Sequence, residues 1–141
     1  MKQIIIFLRP NCYFKTKAAL SENRLFAMST KEVLGRGKHS VHFTSGHESD
    51  DADDKVYWNA LVAKKMIEMV VPDDAVSSVI DTVLSVNSHG MEGDGKIFVL
   101  PVEESIRIHT GETGEDALVW FINLKNRKKD LYEKDKKRRY S

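Results

Sequence analysis

The sequence has few cysteines, glycines and prolines, and each shortage excludes a class of protein. A single cysteine, Cys12, excludes an internal disulfide and any multi-cysteine metal site, so we expect a reducing, cytoplasmic setting. Eight glycines and three prolines in 141 residues exclude a collagen-like chain. No apolar run reaches the roughly 18 residues of a membrane span, and we expect no membrane insertion. The apolar start at residues 3–8 lacks a small-residue cleavage site and is interpreted as a strand.

Charge divides the chain into two parts. Residues 119–141 hold nine basic and three acidic side chains, a charge of +6, whereas residues 1–118 hold 13 basic and 18 acidic ones, a charge of −5. We therefore expect one folded domain over residues 1–118 and a basic C-terminal extension over residues 119–141. For the extension we favour a charged helix, although its cations would also suit nucleic acid or an anionic membrane surface.

The hydrophobic pattern predicts a β-α-β-β-α-β order. Strands are predicted at residues 3–8, 26–34, 66–71 and 96–101, and helices at residues 13–22 and from Pro72 to about His89. This order is typical of the α+β, ferredoxin-like βαββαβ sandwich, with two helices on one face of a four-stranded sheet. We also expect a short strand over residues 104–110 and a helix from Glu115 onward.

A connection of more than twenty residues follows the second strand. It is rich in Ser, Gly, His and Asp, and residues 48–54 form an acidic cluster. Loops of this length in a small domain are usually functional or disordered. Tyr57 and Trp58 could anchor an interface, as aromatic side chains often do. Three histidines in the loop could bind a transition metal, but we favour a solvated loop and predict no metal site.

Three elements combine glycine with a cation or place cations together. They are the turn Gly93-Asp94-Gly95-Lys96, the segment Gly35-Arg36-Gly37-Lys38, and the pair Arg107 and His109, which are two residues apart and would share one side of a strand. Glycines let backbone N–H groups approach an anion closely, and a lysine adds a point charge. The spacing is not that of a Walker loop. The three elements together suit a polyphosphate better than a nucleic acid.

These residues resemble the PII signal-transduction family along residues 1 to about 118. The matching segments are Ile6-Phe-Leu-Arg-Pro10, Met28-Ser-Thr-Lys-Glu-Val33, Gly35-Arg-Gly37, Glu68-Met-Val-Val-Pro-Asp-Asp74, Gly93-Asp-Gly-Lys-Ile-Phe-Val99, Pro101-Val102 and Ile106-Arg-Ile-His-Thr-Gly-Glu112. The resemblance implies a trimer that binds ATP or ADP in the clefts between subunits and has no catalytic activity. It also implies that residues 37–63 are the T-loop, the segment with which such proteins contact their targets.

The resemblance assigns roles residue by residue. Gly93, Asp94, Gly95 and Lys96 match the phosphate-contacting loop, and Arg107 matches a phosphate-binding arginine. Gly35, Gly37 and Lys38 match the base of the T-loop, which also meets the phosphates. Ser29 and Glu68 match adenine contacts, and Lys64 matches the lysine that pairs with a carboxylate of 2-oxoglutarate.

Three departures from the family pattern matter. His39 stands where a glutamine usually binds Mg²⁺, although Mg²⁺ prefers oxygen ligands, so the response to 2-oxoglutarate is left open. His109 replaces a second phosphate-binding arginine, which would make phosphate binding weaker and pH-sensitive. The T-loop is about six residues longer than in general PII proteins and lacks their Arg-Gly-Ala-Glu-Tyr run. Nucleotidylation of Tyr57 is therefore not expected.

The departures, with residues 10–17 and 29–38, look most like the nitrogenase-associated, NifI-type branch, and more like the longer-looped second member of its pair. The resemblance implies inhibition of nitrogenase through the T-loop, relieved by ATP and 2-oxoglutarate. The subunits would form a homotrimer, or a heterotrimer or hexamer with a paired PII-like subunit. The alternatives are a general PII protein that regulates an ammonium transporter or another metabolic protein, an enzyme with a phosphate-containing substrate, and a nucleic-acid-binding module.

Overall fold

The computed structural model describes residues 1–37 and 61–118, and every structural statement below concerns those residues. The strands and helices in these ranges are β1 (Lys2–Leu8), α1 (Tyr13–Glu22), β2 (Ser29–Gly35), β3 (Val62–Val71), α2 (Val76–Asn87) and β4 (Lys96–Pro101). A 3-10 turn precedes each helix, at Pro10–Cys12 and Asp73–Ala75, and another follows β4 at Gly114–Ala117.

The four strands form one antiparallel sheet in the order β2-β3-β1-β4. In the centre, Ile6 of β1 lies opposite Ile67 of β3 on one side and Ile97 of β4 on the other. Helix α1 connects β1 to β2, and helix α2 connects β3 to β4. Each connection passes over one intervening strand, as the split βαβ arrangement requires. The prediction of an α+β, ferredoxin-like fold is confirmed.

The hydrophobic core lies between the sheet and the two helices. In β1 the side chains of Ile4, Ile6 and Leu8 are buried, because alternate residues of a strand point to the same face. They pack with Ile67, Met69 and Val71 of β3, Leu20 of α1, and Val79 and Val83 of α2. Full burial of one such side chain stabilises the fold by about 1.5–3 kcal/mol.

Two polar contacts join the helices across this core. The Nδ2 group of Asn87 donates a hydrogen bond to the Thr16 hydroxyl at 2.9 Å, and both residues are buried. The Nδ2 group of Asn23 donates to the Thr82 hydroxyl at 3.2 Å. Directional bonds between buried polar groups fix the register of two packed helices more narrowly than apolar contacts do.

Within residues 1–37 and 61–118, no helix packs on the opposite face of the sheet. Phe7 and Phe98 meet edge-to-face there, with ring centroids 6.1 Å apart, and Phe98 is 48% exposed in the single chain. Ser29, Lys64, Glu68 and Lys96 belong to the same face, since Ser29 lies opposite Glu68 and Lys96 lies opposite Phe7. We call this the open face.

The element boundaries differ from the predicted ones mainly beside the long loop. Strand β3 begins at Val62 rather than Met66, because its first residues pair with the end of β2, where Gly35 lies opposite Val62. Strand β2 begins at Ser29 rather than at residue 26, and Ser29 is the first residue that pairs with β3. Tertiary pairing thus lengthens a strand into residues whose own apolar pattern is weak.

Two predictions for the end of the domain were wrong. Residues 104–110 form a loop with one isolated bridge, between Ile106 and Thr113, instead of a strand. The left-handed conformations of Gly111 (φ +72°) and Gly114 (φ +65°) close this loop on itself. The start of the helix expected from Glu115 was also wrong, since a 3-10 turn ends at Ala117, whereas the rest of that predicted helix, over residues 119–141, lies outside the described ranges.

Several predictions lie outside the described ranges. They concern Lys38, His39, Tyr57 and the other residues of 38–60, together with the basic extension 119–141. Within residues 1–37 and 61–118, no helix combines the length and the apolar character needed to cross a bilayer.

Candidate functional site

Residues 88–95, between α2 and β4, form a tight loop that we call the glycine loop. Gly93 (φ +90°) and Gly95 (φ +123°) both adopt conformations that other residues rarely take. A Cβ atom at Gly95 would overlap the carbonyl oxygen of Phe7, so the loop backbone lies directly against β1. The sequence therefore requires glycine at position 95 for two reasons, its backbone conformation and its lack of space.

The carboxylate of Asp94 organises this loop. Its Oδ2 atom accepts hydrogen bonds from the backbone N–H groups of His89 at 2.8 Å and Met91 at 3.2 Å. Its Oδ1 atom lies 3.5 Å from both Arg9 Nη2 and His89 Nδ1. The pKa of the Asp94 carboxyl is lowered from its ordinary value. The largest cause is the hydrogen bond from the N–H of His89, and the N–H of Met91 and the charges of Arg9 and His89 act in the same direction, whereas partial burial opposes them.

Two cations from other elements hold the loop carbonyls. Arg9 Nη2 donates to the carbonyl of Glu92 at 2.9 Å, and Lys64 Nζ donates to the carbonyl of Gly93 at 3.1 Å. A Cβ atom at Gly93 would lie 3.4 Å from Arg9 Nη2 and 3.9 Å from Lys64 Nζ. Gly93 therefore sits between two cationic groups, and its missing side chain leaves its backbone accessible to an anion.

The antiparallel register brings most of the predicted residues to one face. Ser29 and Glu68 are direct cross-strand neighbours on the open face, and Glu68 also lies 3.7 Å from Lys31. Lys64 and Lys96 follow on the same face at the end of the sheet where the glycine loop crosses it. The structure thus places polar groups along the strands and cations at their end.

Gly35 and Gly37 are less constrained than the glycines of the loop. Gly35 ends β2, and a Cβ there would make ordinary contact with the Lys64 side chain at 3.7 Å. A Cβ at Gly37 would meet nothing within 4 Å. Their predicted role, close backbone approach to phosphates, stays a prediction, as do the roles of Lys38 and His39 outside the described ranges.

Arg107 belongs to a second loop, residues 102–114, that we call the C-terminal loop. Its Nη1 group pairs with the carboxylate of Glu112, and its Nη2 group donates to the carbonyl of Asp116 at 2.9 Å. The hydroxyl of Thr110 donates to the same Glu112 carboxylate at 2.9 Å. Ile108 is fully exposed, and His109 is exposed beside it. The expectation that Arg107 and His109 share one side of a strand was wrong, because the segment is not a strand.

The described ranges contain no group of three His, Cys, Asp or Glu side chains placed to hold a metal ion. The remaining loop histidines, His42 and His47, lie outside those ranges. The site that the structure assembles is thus one of backbone amides and cations.

Sequence reasoning missed two side chains that shape the glycine loop, Arg9 and His89. Arg9 directly follows β1, whose end is adjacent to the start of β4 in an antiparallel pair. That pairing alone places Arg9 beside the Gly93–Lys96 turn. His89 carried no comparable signal, because its contact depends on how the chain leaves α2.

The fold is that of a ferredoxin-like domain, and cations line its glycine loop. A model of the family described as "Nitrogen regulatory protein P-II" matches residues 1–112, and the chain belongs to this family. Its members are regulatory signal-transduction proteins. The resemblance found in the sequence is therefore confirmed.

Similar proteins narrow the branch within the family. The chain is 37% identical over 122 residues to "Nitrogen fixation nifHD region GlnB-like protein 2" of Methanobacterium ivanovii, covering 84% of this chain and 100% of the relative. The protein of the same description in Methanococcus maripaludis is 37% identical over 123 residues, with the same coverage of both chains. "Nitrogen regulatory protein P-II" of Cereibacter sphaeroides is 36% identical over 118 residues, covering 84% and 100%. The similarity to the nitrogen-fixation-associated branch is confirmed.

Proposed function

We propose that this protein binds ATP or ADP at its glycine loop and uses the bound state to control a protein target through its T-loop. The observation that carries the proposal is the glycine loop itself. The loop has two glycines at positive φ, no side chain covers the backbone at Gly93, and Lys64 and Lys96 place positive charge beside it. Backbone N–H groups and cations together are what a polyphosphate requires.

The adenine and phosphate contacts divide between two parts of the site. Ser29 and Glu68, opposite each other on the open face, would contact the adenine edge. Gly93, Asp94, Gly95 and Lys96 would meet the phosphates, joined by Gly35, Gly37 and Lys38 at the base of the T-loop. Arg107 and His109 would approach the phosphates from a neighbouring subunit, because in the single chain Arg107 bonds within its own loop.

A second ligand, 2-oxoglutarate, would be held by Lys64. Its ammonium group uses one of its three donors on the Gly93 carbonyl, which leaves two donors for the ligand carboxylate. His39 would lie at the Mg²⁺ position, and an imidazole is a poor ligand for this ion. We therefore propose nucleotide binding as the primary property and treat the 2-oxoglutarate response as the point that experiment decides.

The open face supports assembly into a trimer. Phe98 and Leu100 on it remain 48% and 38% exposed in the single chain, and aromatic residues are common in subunit interfaces. The assembly would be a homotrimer, or a heterotrimer or hexamer with a paired PII-like subunit. Light scattering of the purified chain should give about three times 16.1 kDa for a homotrimer.

For the target we propose a nitrogenase component. The support is the name of two relatives, which places them in a nitrogen-fixation gene region. The alternative target is an ammonium transporter or another metabolic protein, supported by the 36% identity to a P-II protein without that description. Addition of the purified protein to a nitrogenase assay distinguishes the two, since only the first target predicts inhibition that ATP with 2-oxoglutarate relieves.

Calorimetric titration with ADP, and with Mg-ATP in the presence and absence of 2-oxoglutarate, tests the ligand proposal. Binding of either nucleotide supports it, and no heat at millimolar nucleotide contradicts it. Tighter ATP binding with 2-oxoglutarate would show that His39 is tolerated. Lys96→Met should weaken binding at least tenfold, whereas Lys15→Met, an exposed change on α1, should not.

A further inference from the structure

We propose that Arg9 is a positioning residue of the glycine loop, one that sets nucleotide affinity without touching the nucleotide. The inference rests on the proposed nucleotide binding at that loop. It adds a residue from the end of β1 to a site otherwise built from β2, β3, β4 and the loops beside them. Three contacts of one guanidinium group carry the argument.

The guanidinium of Arg9 contacts two groups of the loop, the Glu92 carbonyl and the Asp94 carboxylate. Its Nη2 atom donates to the Glu92 carbonyl at 2.9 Å and lies 3.5 Å from the Asp94 carboxylate. The same group lies against Gly93, where a Cβ would be 3.4 Å from Nη2 and 3.8 Å from Nε. Arg9 is only 28% exposed at its side chain, so it is held in place rather than free in solvent.

These contacts orient the amide that an anion needs. A peptide group is planar and trans, so the N–H of Gly93 points away from the Glu92 carbonyl that precedes it. Because Arg9 binds that carbonyl, the Gly93 N–H is directed to the other side of the loop. Lys64 binds the next carbonyl, that of Gly93, and fixes the following peptide in the same way. The two cations therefore orient successive peptides before any ligand arrives.

Arg9 is poorly placed to bind phosphate itself. Its charge already faces the Asp94 carboxylate, and its Nη2 group is already bonded to a carbonyl. A guanidinium presents several donors in a fixed plane, so it can serve the carbonyl and the carboxylate together. A lysine at this position would keep the positive charge but lose the planar fork. Arg9→Lys therefore separates the effect of charge from the effect of geometry.

The test compares ADP binding to the full-length wild type and three variants by calorimetry. We expect Arg9→Met to bind ADP about tenfold more weakly and Arg9→Lys about three- to fivefold more weakly. Lys2→Met removes one cation from the other end of β1, roughly 20 Å away at 3.3 Å per residue, and should bind as the wild type does. Amide hydrogen exchange of the ligand-free proteins should rise in Arg9→Met at residues 89–95 and stay unchanged in β1 and β3.

Each other result overturns the proposal. Equal binding by wild type and Arg9→Met removes the role altogether, and wild-type binding by Arg9→Lys assigns the effect to charge alone. Faster exchange throughout the sheet in both Arg9 variants would show a general structural role. If the wild type binds no ADP, the proposed function fails, while the exchange data still decide whether Arg9 orders the loop.

Discussion

The glycine loop and the C-terminal loop both combine glycines at positive φ with an acid–cation pair, but the roles of the acid and the cation are reversed. Each contains left-handed glycines and is organised by one charged side chain. In the glycine loop that side chain is the acid Asp94, and the cation beside it, Arg9, comes from another element. In the C-terminal loop it is the cation Arg107, and the acid beside it, Glu112, belongs to the loop itself.

The difference decides what each loop can offer an anion. Asp94 accepts two backbone N–H bonds and pairs with Arg9, while Lys64 and Lys96 remain at the edge of the site. Arg107, in contrast, is already paired with Glu112, so a phosphate must compete with a carboxylate for it. In the single chain the first loop has cations beside it that are not paired with an acid of the loop itself, whereas the second loop pairs its own cation with its own acid.

The largest effect is expected from breaking the backbone of the glycine loop. Gly95→Ala forces a Cβ atom into the Phe7 carbonyl at a φ of +123°, so strand β4 can no longer close against β1 at this point. We expect a loss of at least about 3 kcal/mol in the free energy of unfolding, together with loss of nucleotide binding. Urea denaturation measures the first and calorimetry the second.

Gly111→Ala in the C-terminal loop is the matched control for Gly95→Ala. Its φ is +72°, but a Cβ there would meet nothing within 4 Å. Only the conformational cost remains, about 1–2 kcal/mol. Similar losses for the two variants would show that steric closeness to β1 does not distinguish the loops.

A smaller effect, of opposite sign, should follow from releasing Arg107. Glu112→Gln removes the carboxylate paired with its guanidinium, and ADP affinity should rise about threefold because the arginine is then available to phosphate. Glu103→Gln removes an equal charge from an exposed position of the same loop and is the control in the same titration. Equal gains in both variants would attribute the change to net charge and not to the Arg107 pair.

The smallest expected effect is the response of the glycine loop to low pH. Since the folded-state pKa of Asp94 lies below the ordinary 3.8, its bonds stabilise the loop fully above that pH and are lost as the pH falls through the lowered value. In a titration downward from pH 5, the Met91 amide, which donates to Asp94, should keep its NMR chemical shift at first and move only below about pH 3.8. In Asp94→Asn the shift should stay flat through the acid range. A midpoint above pH 4 in the wild type would contradict the assigned direction.

The sequence predicted the fold well where local pattern and packing agree. The apolar run at residues 3–8 indicated a strand, and the structure has that strand in the centre of the sheet with Ile4, Ile6 and Leu8 in the core. The start of β3 could not be predicted, because Val62 to Lys65 join the sheet by pairing with β2. Residues 104–110 alternate like a strand, yet Gly111 and Gly114 turn the chain back so that it bonds to itself.

For the site, the sequence identified the residues whose chemistry is visible in their type and spacing. Gly93, Gly95 and Lys96 stand out as a motif, and cross-strand pairing of Ser29 with Glu68 follows from the fold. Arg9 did not stand out, because an arginine before a proline has no chemical signature. Its role depends on a contact between segments more than eighty positions apart, which only the folded chain reveals.

The bond from Lys64 to the Gly93 carbonyl would make the two proposed ligand positions, for nucleotide and for 2-oxoglutarate, thermodynamically dependent on each other. A carboxylate bound to the ammonium group would share that group with the carbonyl whose bond helps fix the glycine loop. Linkage is reciprocal, so whatever one ligand does to the affinity of the other is returned by the same factor. Through this one lysine, the two proposed binding events would form a single coupled equilibrium.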